Sequence, residues 1–199
     1  MTFSMDWRAR AARLPALFSH PKQIGVLRLP TGRIILGEPL ASIDLVPLTR
    51  QAPVGEFPVE ICLVEVERGD RRIAAARIVF SEQPVASWEL ATGASNAEVP
   101  APDGTPGYRG PAGMFMDVQT APLFQTYVDE SDSVEWWKDV PKEEGSIWEH
   151  ACFQPDEQTP YNVAYMSPLL SDDAFVSYWG LDAVGEPVAL VTDFNVVPI

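Results

Sequence analysis

The sequence predicts a mainly β fold with short helices, an antiparallel sheet or β-sandwich-like single domain over residues 1–199. Three observations carry this. Runs rich in β-branched and aromatic residues recur along the chain, glycine-containing turns separate several of them, and helical periodicity is confined to two short stretches. With 199 residues, 46% of them hydrophobic, the chain is long and apolar enough to bury a sizeable core.

Trp7, Ala11, Leu14, Leu17 and Phe18 recur at helical spacing with arginines between them. That predicts an N-terminal helical segment within residues 1–20, ended by His20-Pro21. Residues 24–30 (IGVLRLP) and 33–39 (RIILGEP) flank Thr31-Gly32 and read as a hairpin. In 57–67 (FPVEICLVEVE), Val59, Ile61 and Leu63 share one face and Glu60, Cys62 and Val64 the other. Arg68-Gly69-Asp70-Arg71 then turns the chain into 72–80 (RIAAARIVF), a second hairpin.

Residues 84–91 predict another strand, and 93–113, rich in Gly and Pro, predict a loop. GMFMD (113–117) reads as a short strand. A helix is expected over 118–130, with Leu123, Phe124, Tyr127 and Val128 on a shared face, Thr120 as N-cap and Pro122 in the first turn. Strands follow at 147–153, 161–166 and 174–180, and a turn over Leu181 to Glu186 leads into 187–197.

Fourteen Lys and Arg against 28 Asp and Glu give a net charge of -14. A chain this acidic repels phosphate backbones and anionic leaflets, so nucleic acid and membrane are not expected partners. Charge is unevenly spread: residues 1–77 hold 11 basic and 8 acidic side chains, and residues 78–199 hold 3 and 20. The segment 129–157 alone contains ten acids and two lysines, together with Trp136, Trp137 and Trp148. Asp6, Arg8, Arg10 and Arg13 break the apolar run that a signal peptide needs, so a cytoplasmic location is expected. Cys62 and Cys152 read as buried thiols.

Several of these pieces, taken together and in order, resemble a bacterial family known only as a domain of unknown function, number 4241 in that series. They are LPTGRIILGEPL (29–40), the strand pair FPVEICLVEV and RIAAARIVF with the following PVASWELA, GMFMD (113–117), and YWGLDAVGEPVALVTDF (178–194). The chain departs from the family pattern at Glu38-Pro39, where the family has Asp-Pro, and at Ser171-Asp172-Asp173-Ala174, where it has a glycine-rich turn. The resemblance implies a mixed, β-rich fold and a bacterial or phage source, with no activity to carry over.

A phosphate-binding loop, a dinucleotide fingerprint, a nucleophile elbow and an HExxH helix are absent from the sequence, so no cofactor is expected. His150 and Cys152 share a strand face in IWEHACF, flanked by apolar residues, and read as core rather than as nucleophile and base. Two function classes stand out. The first is a binding protein that neutralises a basic protein partner, as immunity proteins neutralise bacterial toxins. Its expected contacts are Asp129, Glu130, Asp132, Glu135, Trp136, Trp137, Glu143 and Glu144: acids for steering around aromatic anchors. The second is a hydrolase or metal-dependent enzyme using Asp117 and Asp193, acids that follow apolar strand residues, with Asp172, Asp173 and Asp182 as an alternative oxygen-ligand set. Against the second stands the ordinary role of such acids, which is to cap helices and satisfy turn amides. A scaffold module without activity of its own is a further alternative.

Overall fold

A computed structural model describes residues 7–38, 46–93, 99–100, 106–109, 112–130, 149–168 and 174–196. Its elements follow in the order α1 (Trp7–Ala11), α2 (Leu14–Leu17), β1 (Lys22–Leu29), β2 (Ile34–Gly37), β3 (Gly55–Glu67), β4 (Asp70–Val79), β5 (Ser87–Leu90), β6 (Val99–Pro100), β7 (Pro106–Arg109), β8 (Gly113–Asp117), α3 (Ala121–Glu130), β9 (Glu149–Phe153), β10 (Val163–Ser167), β11 (Ala174–Leu181) and β12 (Pro187–Asp193). The strands form two antiparallel sheets. The larger runs β1-β3-β4-β12-β11-β7-β6, with β5 paired to the second half of β11, and the smaller runs β2-β8-β10-β9. A mainly β, α+β architecture is therefore what the chain adopts.

Alternation along the strands sorts side chains into three apolar clusters. Leu27, Leu29, Ile34, Leu36, Val59, Ile61, Ile78, Phe115, Met166, Trp179 and Leu190 come from both sheets and form the core between them. On the outer face of the large sheet, Ala74, Ala75, Val176, Tyr178 and Val191 pack with Ala11, Leu14 and Phe18 of the N-terminal segment. On the outer face of the small sheet, Ile35, Met114, Met116, Val163 and Tyr165 pack with Phe124 of α3. The result is four layers, helix on sheet on sheet on helix, which explains why β8, β10 and β12 are buried on both faces.

The expected hairpin at 24–39 is corrected. β1 pairs with β3, from Lys22 opposite Ile61 to Leu29 opposite Gly55, whereas β2 pairs with β8, from Ile34 opposite Asp117 to Gly37 opposite Met114. The tight turn at Thr31-Gly32, with Gly32 at φ +69°, thus carries the chain from one sheet to the other. The β3–β4 and β11–β12 hairpins form as expected, with Gly69 and Gly185 at positive φ in their turns. The segment 93–113, expected as loop, contributes the short strands β6 and β7. α3 begins at Ala121, but among the described residues Thr120 Oγ1 finds no hydrogen-bond partner, so Thr120 does not cap through its side chain.

β1 is an edge strand, and its open edge is covered from the other sheet. The Arg28 amide donates to Asn162 Oδ1 at 2.9 Å, and Asn162 Nδ2 donates to the Val26 carbonyl at 2.6 Å. Arg28 Nη1 adds a bond to the Pro160 carbonyl at 2.9 Å. These bonds fix the loop between β9 and β10, and so place its start opposite the end of α3.

Candidate functional site

α3 lies on the small sheet because Phe124 is buried there and Tyr127 packs against Phe153 at the end of β9, with ring centroids 5.5 Å apart. This brings the last turn of α3 next to the chain leaving β9. Between them lies an open cleft of about 440 Å³, lined by Leu123, Thr126, Tyr127, Glu130, Pro155, Asp156 and Glu157. Its floor is apolar and aromatic and its rim carries three carboxylates. Asp129, in the same last turn of α3 but not among the lining residues, is exposed and accepts a bond from Gln125 Nε2 at 2.9 Å. Asp156 Oδ1 accepts the Gln158 amide at 2.9 Å, which sets the turn that presents Glu157 to solvent.

Asp129 and Glu130 occupy the negative end of the α3 dipole, and no basic residue lies in that last turn. Each carboxylate there costs the helix about 0.3–1 kcal/mol. The acids of the facing turn add like-charge repulsion. The dipole and the facing acids therefore both act against this arrangement.

The two acids considered for catalysis occupy separate places. Asp117 is fully buried at the end of β8 in the small sheet. Its carboxylate accepts the Thr31 amide at 3.0 Å, the Thr31 hydroxyl at 2.9 Å and the Gln119 amide at 3.0 Å. Asp193 ends β12 in the large sheet, is 3% exposed, and is held by Arg10. Arg10 Nε donates to its Oδ2 and Nη2 to its Oδ1 at 3.0 Å, while the Asn195 amide donates to Oδ1 at 2.9 Å. The two carboxylates share no partner. One pins the crossing between sheets and the other pins the N-terminal segment.

Asp182 Oδ1 accepts the Val184 and Glu186 amides, both at 2.9 Å, inside the β11–β12 turn. Asp172 and Asp173 lie outside the described residues, as do Asp132, Glu135, Trp136, Trp137, Glu143, Glu144 and Trp148. Among the described residues no group of three or more His, Cys, Asp or Glu side chains is placed to hold a metal ion.

Cys152 faces the core between the sheets, with Sγ 3.8 Å from the Val26 carbonyl. Burial pushes its thiol up to about 12 from an ordinary 9.0, the opposite of what a thiolate nucleophile needs. Cys62 is shifted in the same direction, also by burial. In the unfolded chain these thiols ionise near pH 9.0, while the folded chain keeps them protonated. The stability Cys152 contributes is present below pH 9 and is lost as pH rises toward about 12. Denaturant melts across that window should show the decline, and Cys152→Ala should flatten it.

Sequence reading named Asp129 and Glu130 but not their companions in the cleft. Tyr127 and Leu123 read as helix core, and Asp156 and Glu157 as the end of a charge run. The signal that joins them is Pro155, two residues past the end of β9, where the chain can no longer continue the strand. Arg10 and Thr31, the partners of the buried acids, were equally unmarked, since nothing in local sequence tells a buried cap from a surface charge.

The fold and this site define a class: a two-sheet antiparallel β protein with a helix on each outer face and an acidic cleft where α3 meets the β9–β10 loop. The chain belongs to the family described as protein of unknown function (DUF4241), whose model matches residues 27–192. Comparison with curated proteins and with solved structures gave no match. Among the described residues, no helix is long and apolar enough to cross a membrane.

Proposed function

We propose that this chain is a cytoplasmic acidic binding protein that neutralises a basic protein partner, in the manner of an immunity protein to a bacterial toxin. The observation that carries this is the set of carboxylates at the negative end of α3, where Asp129 and Glu130 share a last turn without a basic residue and Glu130, Asp156 and Glu157 line an open cleft over Leu123 and Tyr127. A Lys or Arg side chain entering the cleft lays its methylene stem on Leu123 and Tyr127 and its charge among the acids. Long-range attraction from a chain of net charge -14 speeds the encounter. Asp132, Glu135, Trp136, Trp137, Glu143 and Glu144, which lie outside the described residues, remain the further contacts this reading expects, with the tryptophans as apolar anchors.

The experiment is capture with the full chain as bait, in lysates of bacteria that carry it and of their competitors, washed at low and at moderate salt, beside the double variant Asp129→Lys, Glu130→Lys. The expected result is a basic protein retained at low salt, released as salt rises, and reduced about tenfold on the variant. Equal recovery on both baits would contradict the acidic cleft as the docking surface.

A further inference from the structure

The N-terminal segment is joined to the rest of the fold in an unusual way. α1 has five residues and α2 four, with Pro15 inside α2 and no side-chain cap on it. Helices this short do not persist by propensity. Backbone bonds inside the segment join Ala12 to Arg8, Arg13 to Arg10, Ala16 to Arg13 and Phe18 to Pro15. Side chains make the attachment to the large sheet: the Arg10–Asp193 ion pair, Phe18 under the Arg77 guanidinium at 4.3 Å, and Trp7 stacked at 6.3 Å on Tyr178. The face beneath is apolar and includes Cys62, Ala74, Ala75, Val176, Tyr178 and Val191. All six lie within the region matched by the family model, whereas the segment precedes it.

We propose that residues 7–18 are a releasable strap, a basic amphipathic cover latched by Arg10 on Asp193, whose opening bares the outer face of the large sheet while both sheets stay folded. The strap carries Arg8, Arg10 and Arg13 and no acid, so its charge is opposite to that of the chain it covers. Opening is a local unfolding event: it breaks the Arg10–Asp193 pair and the ring contacts and exposes Ala11, Leu14 and Phe18 with the face beneath them, but residues 7–18 belong to no strand and the sheet ladders stay paired. It also returns the Asp193 carboxylate to water, which lowers the cost of losing Arg10.

The two cysteines report on this directly, because Cys62 is buried under the strap, whereas Cys152 is partly buried against the inter-sheet core and away from it. Iodoacetamide modification of the full chain, followed by mass spectrometry of each cysteine peptide, separates strap opening from unfolding. The expected result is that Arg10→Ala raises the Cys62 rate about tenfold over the native chain while leaving the Cys152 rate unchanged. Phe18→Ala, which removes the ring under Arg77, should act in the same direction and serves if Arg10→Ala folds poorly. A parallel rise at both cysteines in the variants, or a Cys62 rate that neither variant alters, would overturn the proposal.

Discussion

Replacing Asp117 with alanine should lower the free energy of unfolding by about 3 kcal/mol, read as a shift of the urea midpoint with an unchanged slope. The carboxylate is fully buried, and its hydrogen bonds go to Thr31 and Gln119, which lie 86 residues apart and 2 residues away in sequence respectively. Truncation leaves both amides and the Thr31 hydroxyl without that acceptor, in the place where the chain crosses from the large sheet to the small one. Asp117→Asn keeps one acceptor oxygen but presents an amide group to donors, so it should recover only part of the loss. The outcome also discriminates between roles for the acid. A catalytic carboxylate can be replaced with little effect on stability, so an Asp117→Asn chain as stable as the original would remove it from the framework and return it to the chemistry.

Gly25→Ala is expected to cost about as much, roughly 3 kcal/mol, by overpacking. Gly25 sits where the β1–β3 register shifts, and its backbone faces β9 so closely that an added methyl would lie 2.8 Å from Cys152 Sγ and closer still to its Cβ. Both obstructing atoms belong to one side chain, which makes the effect separable. Cys152→Gly in the Gly25→Ala background should restore most of the lost stability, and Cys152→Ala, which keeps the Cβ, should restore less. Denaturant melts of the two single and the double variants form a cycle whose coupling should be strongly favourable. Additive effects would mean that Gly25 is required for backbone conformation rather than for the approach of the two sheets.

Alternation of side chains made most strands legible, because period-2 burial is written residue by residue, as in Val59, Ile61 and Cys62 dividing between two clusters. What alternation does not encode is the pairing partner. Ile34 and Leu36 face the inter-sheet core and Ile35 faces α3, so Ile34-Ile35-Leu36 is a run buried on both sides, and that run was the available sign that β2 lies in a covered sheet. A tight Thr-Gly turn looks the same whether it closes a hairpin or connects two sheets, and only the distant Asp117 decides between them. β6 and β7 were hidden for a related reason: two and four residues of Val-Pro and Pro-Gly-Tyr-Arg carry no period. Buried acids were recognisable as exceptions that need partners, and both have them, but those partners lie 86 and 183 residues away.

The cleft was half legible. Its charge was visible in the sequence as a run of acids, while its shape depends on Tyr127 meeting Phe153 and on Asn162 fastening the following loop to β1. Those contacts turn a charged surface into a concave one, in which carboxylates crowd a helix end that stability alone would leave to basic residues. Function by charge attraction has a kinetic signature that fold stability does not share.

The most direct test is therefore the association rate between the full chain and its captured partner, measured by stopped flow over a series of ionic strengths, for the native chain and for Asp129→Lys, Glu130→Lys. The native rate should fall steeply with salt, and the variant rate should be about tenfold lower at low salt with a shallower dependence. Identical rates and identical salt slopes for the two proteins would contradict this expectation.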